Sequence, residues 1–228
     1  MKIFAILFIG IQPFFAFSQS SKKITSSLIV SSHLSNTSKE GEWSDVKTIY
    51  KESQITSYQK NYKLKMSQQF PNLERIDRID EHGTETFIKN SDNDEQLSLL
   101  GVRNLSILNY SVALSRVEYY GIRLINKTDT LINDTLMYRI ELLKPIDDSY
   151  TLKLLLYFDS NKFYLRRVEC RDPKYKIEND YFNFKTVQGY VFPFLIKSKK
   201  FNNDQTVETI SYIKVNETFK PDTFIIQR

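Results

Sequence analysis

The chain has 228 residues, 41% of them hydrophobic and 14% aromatic, and a net charge of +5. That length suits one domain with a sizeable core. The basic residues (Lys197, Lys199 and Lys200; Arg166, Arg167 and Arg171) are spread along predicted strands, which argues for a solvated face and against nucleic-acid binding.

Residues 1–18 read as an export signal. Lys2 supplies a positive start, residues 3–17 are apolar apart from Gly10, Gln12 and Pro13, and Ala16-Phe17-Ser18 predicts cleavage before Gln19. The run is shorter than the ~20 residues a membrane span needs. No cysteine follows it for a lipid anchor, and no later stretch is apolar enough to span. The expected mature protein is one domain over 19–228, periplasmic and without a transmembrane segment.

Residues 22–34 carry Ile24, Leu28, Ile29 and Leu34 at near-helical spacing and predict a short amphipathic helix. Polar residues 35–42 form a loop, and 46–58 a first strand. Tyr62, Leu64 and Met66 alternate along a second strand over 62–70, which Pro71-Asn72 turns. Residues 73–80 are ambiguous, because Leu73, Ile76 and Ile79 recur every three positions. Glu81-His82-Gly83 is a turn before a strand at 84–89, and 91–95 is a polar break. Residues 97–117 lack strand alternation and predict one or two helices. A strand at 119–126 follows, then an Asn133-Asp134 turn. Six β-branched or aromatic runs complete the chain: 138–143, 150–159, 164–170, 180–187, 191–197 and 207–215. The expected fold is α+β: a curved antiparallel sheet, or incomplete β-barrel, enclosing or capped by short helices.

Catalytic and metal-binding patterns are not evident. His33 and His82, the only two histidines, lie outside any H-E-x-x-H spacing and read as surface residues. There is no G-x-S-x-G elbow, and six glycines leave no phosphate-cradling loop. Asp92-Asn93-Asp94-Glu95 lacks the glycine and distant glutamate of a calcium loop. Asp147-Asp148 after Pro145 reads as a hairpin turn. The single cysteine, Cys170, excludes an internal disulfide and reads as a small packed side chain in a strand. No enzyme activity, metal or cofactor is expected.

From residue 120 onward the order of features resembles the outer-membrane lipoprotein carrier (LolA/LolB-like) superfamily. Gly121 precedes Tyr138-Arg-Ile-Glu-Leu142; a strand then ends in Tyr157-Phe158-Asp159. Leu165-Arg-Arg-Val-Glu169, an aromatic strand from Tyr181 to Gly189, Phe192-Pro193, and a late Phe219-Lys-Pro221 with Phe224 complete the series. The resemblance covers about half the chain and implies a half-barrel with a hydrophobic cavity for acyl chains. Gly41-Glu42-Trp43 and Asn179-Asp180-Tyr181 support a lipocalin-like barrel binding a small ligand as the alternative.

Strand alternation nominates the concave-face residues: Tyr138, Ile140 and Leu142; Leu152, Leu154, Leu156 and Phe158; Phe182 and Phe184. The expected function is an exported, non-enzymatic binder or carrier of a lipid or lipoprotein acyl chain in the cell envelope. If the same faces merely pack on the protein's own helices, an envelope protein-interaction module is expected instead.

Overall fold

The computed structural model describes residues 24–58, 60–71, 73–89, 107–117, 123–145, 151–171, 176–200 and 204–225. The expected export signal, the 91–95 break and the Asp147-Asp148 turn lie outside these residues. Among the described residues eleven strands form one antiparallel sheet in the order β4-β3-β2-β1-β11-β10-β9-β8-β7-β6-β5. They are β1 (Thr48–Ser57), β2 (Asn61–Gln69), β3 (Leu73–Asp80), β4 (Gly83–Lys89), β5 (Arg123–Ile132), β6 (Thr135–Pro145), β7 (Thr151–Asp159), β8 (Leu165–Arg171), β9 (Lys176–Val187), β10 (Tyr190–Lys200) and β11 (Gln205–Val215). Among the described residues two α-helices accompany the sheet, α1 (Ser26–Thr37) and α2 (Ile107–Ser115).

The chain builds a meander from β1 to β4, crosses through α2 to the far edge at β5, and returns strand by strand. β11 then pairs with β1 in the middle of the sheet. Among the described residues no pairing joins β4 to β5, so the sheet curves without closing. This overturns the lipocalin alternative. Trp43 lies in a 3-10 turn, buried against Tyr190 and Phe192 of β10, and Asp180 is an ordinary member of β9.

Turn chemistry sets the register. Asn133 and Asp134 have φ of 47° and 60°, and Gln188 and Gly189 have φ of 48° and 80°. Each pair is a two-residue loop with both residues left-handed, the geometry that matches strand twist. A side chain at Gly189 would also place its Cβ 2.6 Å from the Glu40 side chain. The Tyr157-Phe158-Asp159 pattern has a specific cause at this level: the Asp159 carboxylate accepts the N–H groups of Asn161 (3.2 Å) and Lys162 (2.6 Å), shaping the β7–β8 turn. Pro193 sits in β10 beyond the stretch paired with β11, beside the irregularity at Asn183 in β9, so its missing N–H breaks no ladder there.

Three predicted elements differ in extent or type. Residues 73–80 are a strand, because β2 and β4 pair with them on both sides and override the period of three. β5 runs on to Ile132, past the expected end at 126, while residues 119–122 of the expected strand lie outside the described residues; it is an edge strand, where polar residues face water. α2 occupies Ile107–Ser115 of the predicted helical segment, whose earlier residues lie outside the description.

The core lies between the concave face and the helices. On α1, Thr25 caps the first turn by accepting the N–H of Leu28 at 3.2 Å. Ile29, Val30, His33 and Thr37 form its buried stripe, while Leu28 points outward at 43% exposure. Trp43 Nε1 donates to Thr37 Oγ1, which donates to the His33 carbonyl, so the helix end is fastened to the sheet. No helix among the described residues is long and apolar enough to cross a membrane.

Candidate functional site

The inner face of β6, β7 and β8 consists of three rows fixed by register. Leu142 pairs with Leu154 and Leu154 with Cys170; Ile140 pairs with Leu156 and Leu156 with Val168; Tyr138 pairs with Phe158 and Phe158 with Leu165. All nine are buried, and they form one cluster with Ile29 and Val30 of α1 and Tyr110, Val112 and Leu114 of α2. Leu152 joins the same cluster at the end of β7. Cys170 is thus the small packed side chain expected from its strand.

Seven of the nine nominated side chains therefore come together. Phe184 lies beyond the Asn183 irregularity, partly buried against the cluster, with the Tyr164 ring 5.0 Å away and the Arg166 guanidinium over its face. Phe182 does not share the inner face. β9 buries Ile177, Asn179 and Tyr181, so Phe182 points outward at 38% exposure, with Lys197 over its ring. Two adjacent aromatics cannot both face inward along a strand, and the sequence gives no sign of which one does.

The face is closed rather than open. His33, expected at the surface, is 1% exposed and ties both helices to the β7–β8 turn. Its Nδ1 lies 2.9 Å from the Phe163 carbonyl, its Nε2 3.1 Å from Ser111 Oγ on α2, and its ring meets Phe158 edge-on at 5.1 Å. Burial lowers its pKa from 6.5 to about 4, against the raising pull of the Phe163 carbonyl and of Asp159. The ring is therefore neutral near pH 7, with the nitrogen facing Phe163 carrying the proton. The sign available in the sequence was spacing: Ile29, His33 and Thr37 recur every four residues, which is one helix face.

Across the middle of the sheet the same concave face turns polar. Lys51 alternates with Ile49, Ser53 and Ile55 on β1 and is 2% exposed. Its Nζ lies 2.6 Å from Glu208 Oε1 on β11, and Ser53 Oγ donates to the same oxygen at 2.7 Å. Ile196 pairs with both Glu208 and Tyr181, which sets these two residues on either side of one core residue. Burial pushes the Tyr181 phenol well above its usual range. The alternation of β1 could have placed Lys51 inward, but its β11 partner is far away in sequence.

A groove of about 360 Å³ lies outside the concave face, bordered by Ile132, Met137, Arg166, Arg167 and Phe182. Its two arginines are already paired, Arg166 with Asp159 at 2.8 Å and Arg167 with Asp180 at 2.6 Å. Among the described residues no group of His, Cys, Asp and Glu is placed to hold a metal ion.

An open antiparallel sheet with helices closing its concave face recurs in solved structures. A LolA superfamily protein from Nitrosomonas europaea superposes with a TM-score of 0.57 at 14% identity, covering 90% of this chain and 98% of that one. An outer membrane lipoprotein-sorting protein domain from Vibrio parahaemolyticus gives 0.54 at 12% identity, covering 87% and 95%. A DUF1329 family protein from Desulfovibrio piger gives 0.52 at 10% identity, covering 80% and 91%. No family model and no curated protein sequence matches the chain. The chain thus shares its fold with these solved proteins at 10–14% sequence identity.

Proposed function

We propose that this protein is an exported, non-enzymatic carrier or binder of a lipid or lipoprotein acyl chain, acting in the periplasm after its signal is removed. The observation that carries the proposal is the triple row of apolar side chains on β6–β8, covered by two short helices rather than by sheet. Helices held by side-chain contacts can lift while the strand ladder stays intact. An acyl chain entering beneath them would replace helix contacts with its own. Each buried methylene stabilises the complex by about 0.8 kcal/mol, set against the cost of association. The outer membrane lipoprotein-sorting domain from Vibrio parahaemolyticus shares the fold, which supports a ligand of this class.

A second reading has its own observation. Ile140, Leu156 and Phe158 are each 0% exposed, as in a permanent core. On that reading the helices never lift, and the protein is an envelope interaction module. Native mass spectrometry of gently purified protein separates the two. A lipid-sized adduct that delipidation removes supports the carrier. Bare protein before and after delipidation, together with a tightly held envelope protein, rejects it.

A further inference from the structure

We propose that the polar centre of the concave face, Tyr110 with Tyr181 and the Lys51–Glu208 pair, seats the uncharged ester or amide linkage of an acyl lipid and selects such lipids over free fatty acids. The inference rests on the acyl-binding reading above and specifies its ligand class.

Tyr110 is 4% exposed, and its hydroxyl has no hydrogen-bond partner among the described residues. An orphan buried hydroxyl destabilises the protein that carries it, so it calls for a partner. Tyr110 packs in the same buried cluster as Tyr181 and Cys170 of the sheet. Cys170 is the register partner of Leu154, so the apolar rows of β7 and β8 belong to the cluster that holds Tyr110. Tyr181 and Glu208 in turn flank Ile196 in register on β9 and β11. A tail lying along β6–β8 would therefore bring its head end to the polar centre.

Charge decides what kind of head fits. The Lys51 ammonium is neutralised by Glu208, which also accepts from Ser53. The centre thus holds one cation and one anion already satisfied by each other. A carboxylate entering it would lose its hydration and meet Glu208 without an unpaired cation to offset the cost. An ester or amide carbonyl carries no such penalty, and its oxygen can accept the Tyr110 hydroxyl.

The test is displacement of a fluorescent fatty-acyl probe from the purified protein by mono-olein and by oleate, in wild type and in Tyr110→Phe. The expected result is mono-olein preferred by wild type, a loss of about 3–10-fold in mono-olein affinity in the variant, and unchanged oleate affinity; one neutral hydrogen bond supplies that much. The melting temperature of Tyr110→Phe should stay level or rise, because the removed hydroxyl had no partner. Glu208→Gln, which leaves Lys51 uncompensated, should shift preference towards oleate. Equal effects of Tyr110→Phe on both competitors, no effect on mono-olein, or a melting temperature lowered by several degrees would each overturn the selection. If neither competitor nor probe binds wild type, the acyl-binding reading falls, and this inference with it.

Discussion

The two halves of the concave face are built by one sheet but obey different rules. On β6–β8 every inward position of the three register rows is apolar or a small thiol, and the packing is that of an ordinary core. On β1 and β11 the inward positions include Lys51, Ser53 and Glu208, and the interior is held by charge. The first half tolerates changes of shape in proportion to volume lost. The second responds to loss of one partner far more than to loss of both, because a lone buried charge has nothing to offset its desolvation. A surface able to take a tail in one half and a polar linkage in the other follows from that division.

The largest expected effect breaks the charged half. Lys51→Met should destabilise by about 3–5 kcal/mol by leaving Glu208 unpaired, while Lys51→Met with Glu208→Leu should recover most of the loss. Urea denaturation of the single and double variants measures it. Next comes the apolar half: Leu154→Ala should cost about 2–5 kcal/mol in delipidated protein, because Leu154 is 1% exposed and closely packed. A loss well under that range would show the face to be open.

The seam between helices and sheet should titrate. His33 takes a proton near pH 6.5 when unfolded but only at about 4 when folded. Between those values the unfolded chain binds more protons, so stability falls as pH drops through this window, by roughly 3 kcal/mol in all. Urea midpoints of wild type and His33→Gln near neutral and acidic pH should diverge at neutral and converge in acid. The smallest effect belongs to the outer face. Arg167→Ala should cost about 1 kcal/mol or less, because its pair with Asp180 is partly exposed to water.

The second half of the chain was legible because its turns announce themselves. Asn133-Asp134 and the glycine at 189 mark two hairpins, and the alternation of Tyr138, Ile140 and Leu142 on β6 names inner positions in advance, although β7 is buried on both faces from Leu154 to Asp159. Residues 73–80 were not, since a strand with mixed polarity is stabilised by neighbours that local sequence cannot reveal. His33 was misread as a surface group because its partners, Ser111 and Phe163, sit on other elements. Phe182 was placed inward because an aromatic beside another aromatic carries no sign of which one faces the core. The Lys51–Glu208 pair depends on the β1–β11 contact, which joins distant parts of the chain and left no local trace.

Backbone hydrogen exchange during titration with a palmitoyl probe tests the central claim most directly. A carrier whose helices lift should show saturable binding, faster exchange in α2 over Ile107–Ser115, and undiminished protection of β7. Saturable binding that leaves α2 exchange unchanged, or the absence of saturable binding, would contradict the account.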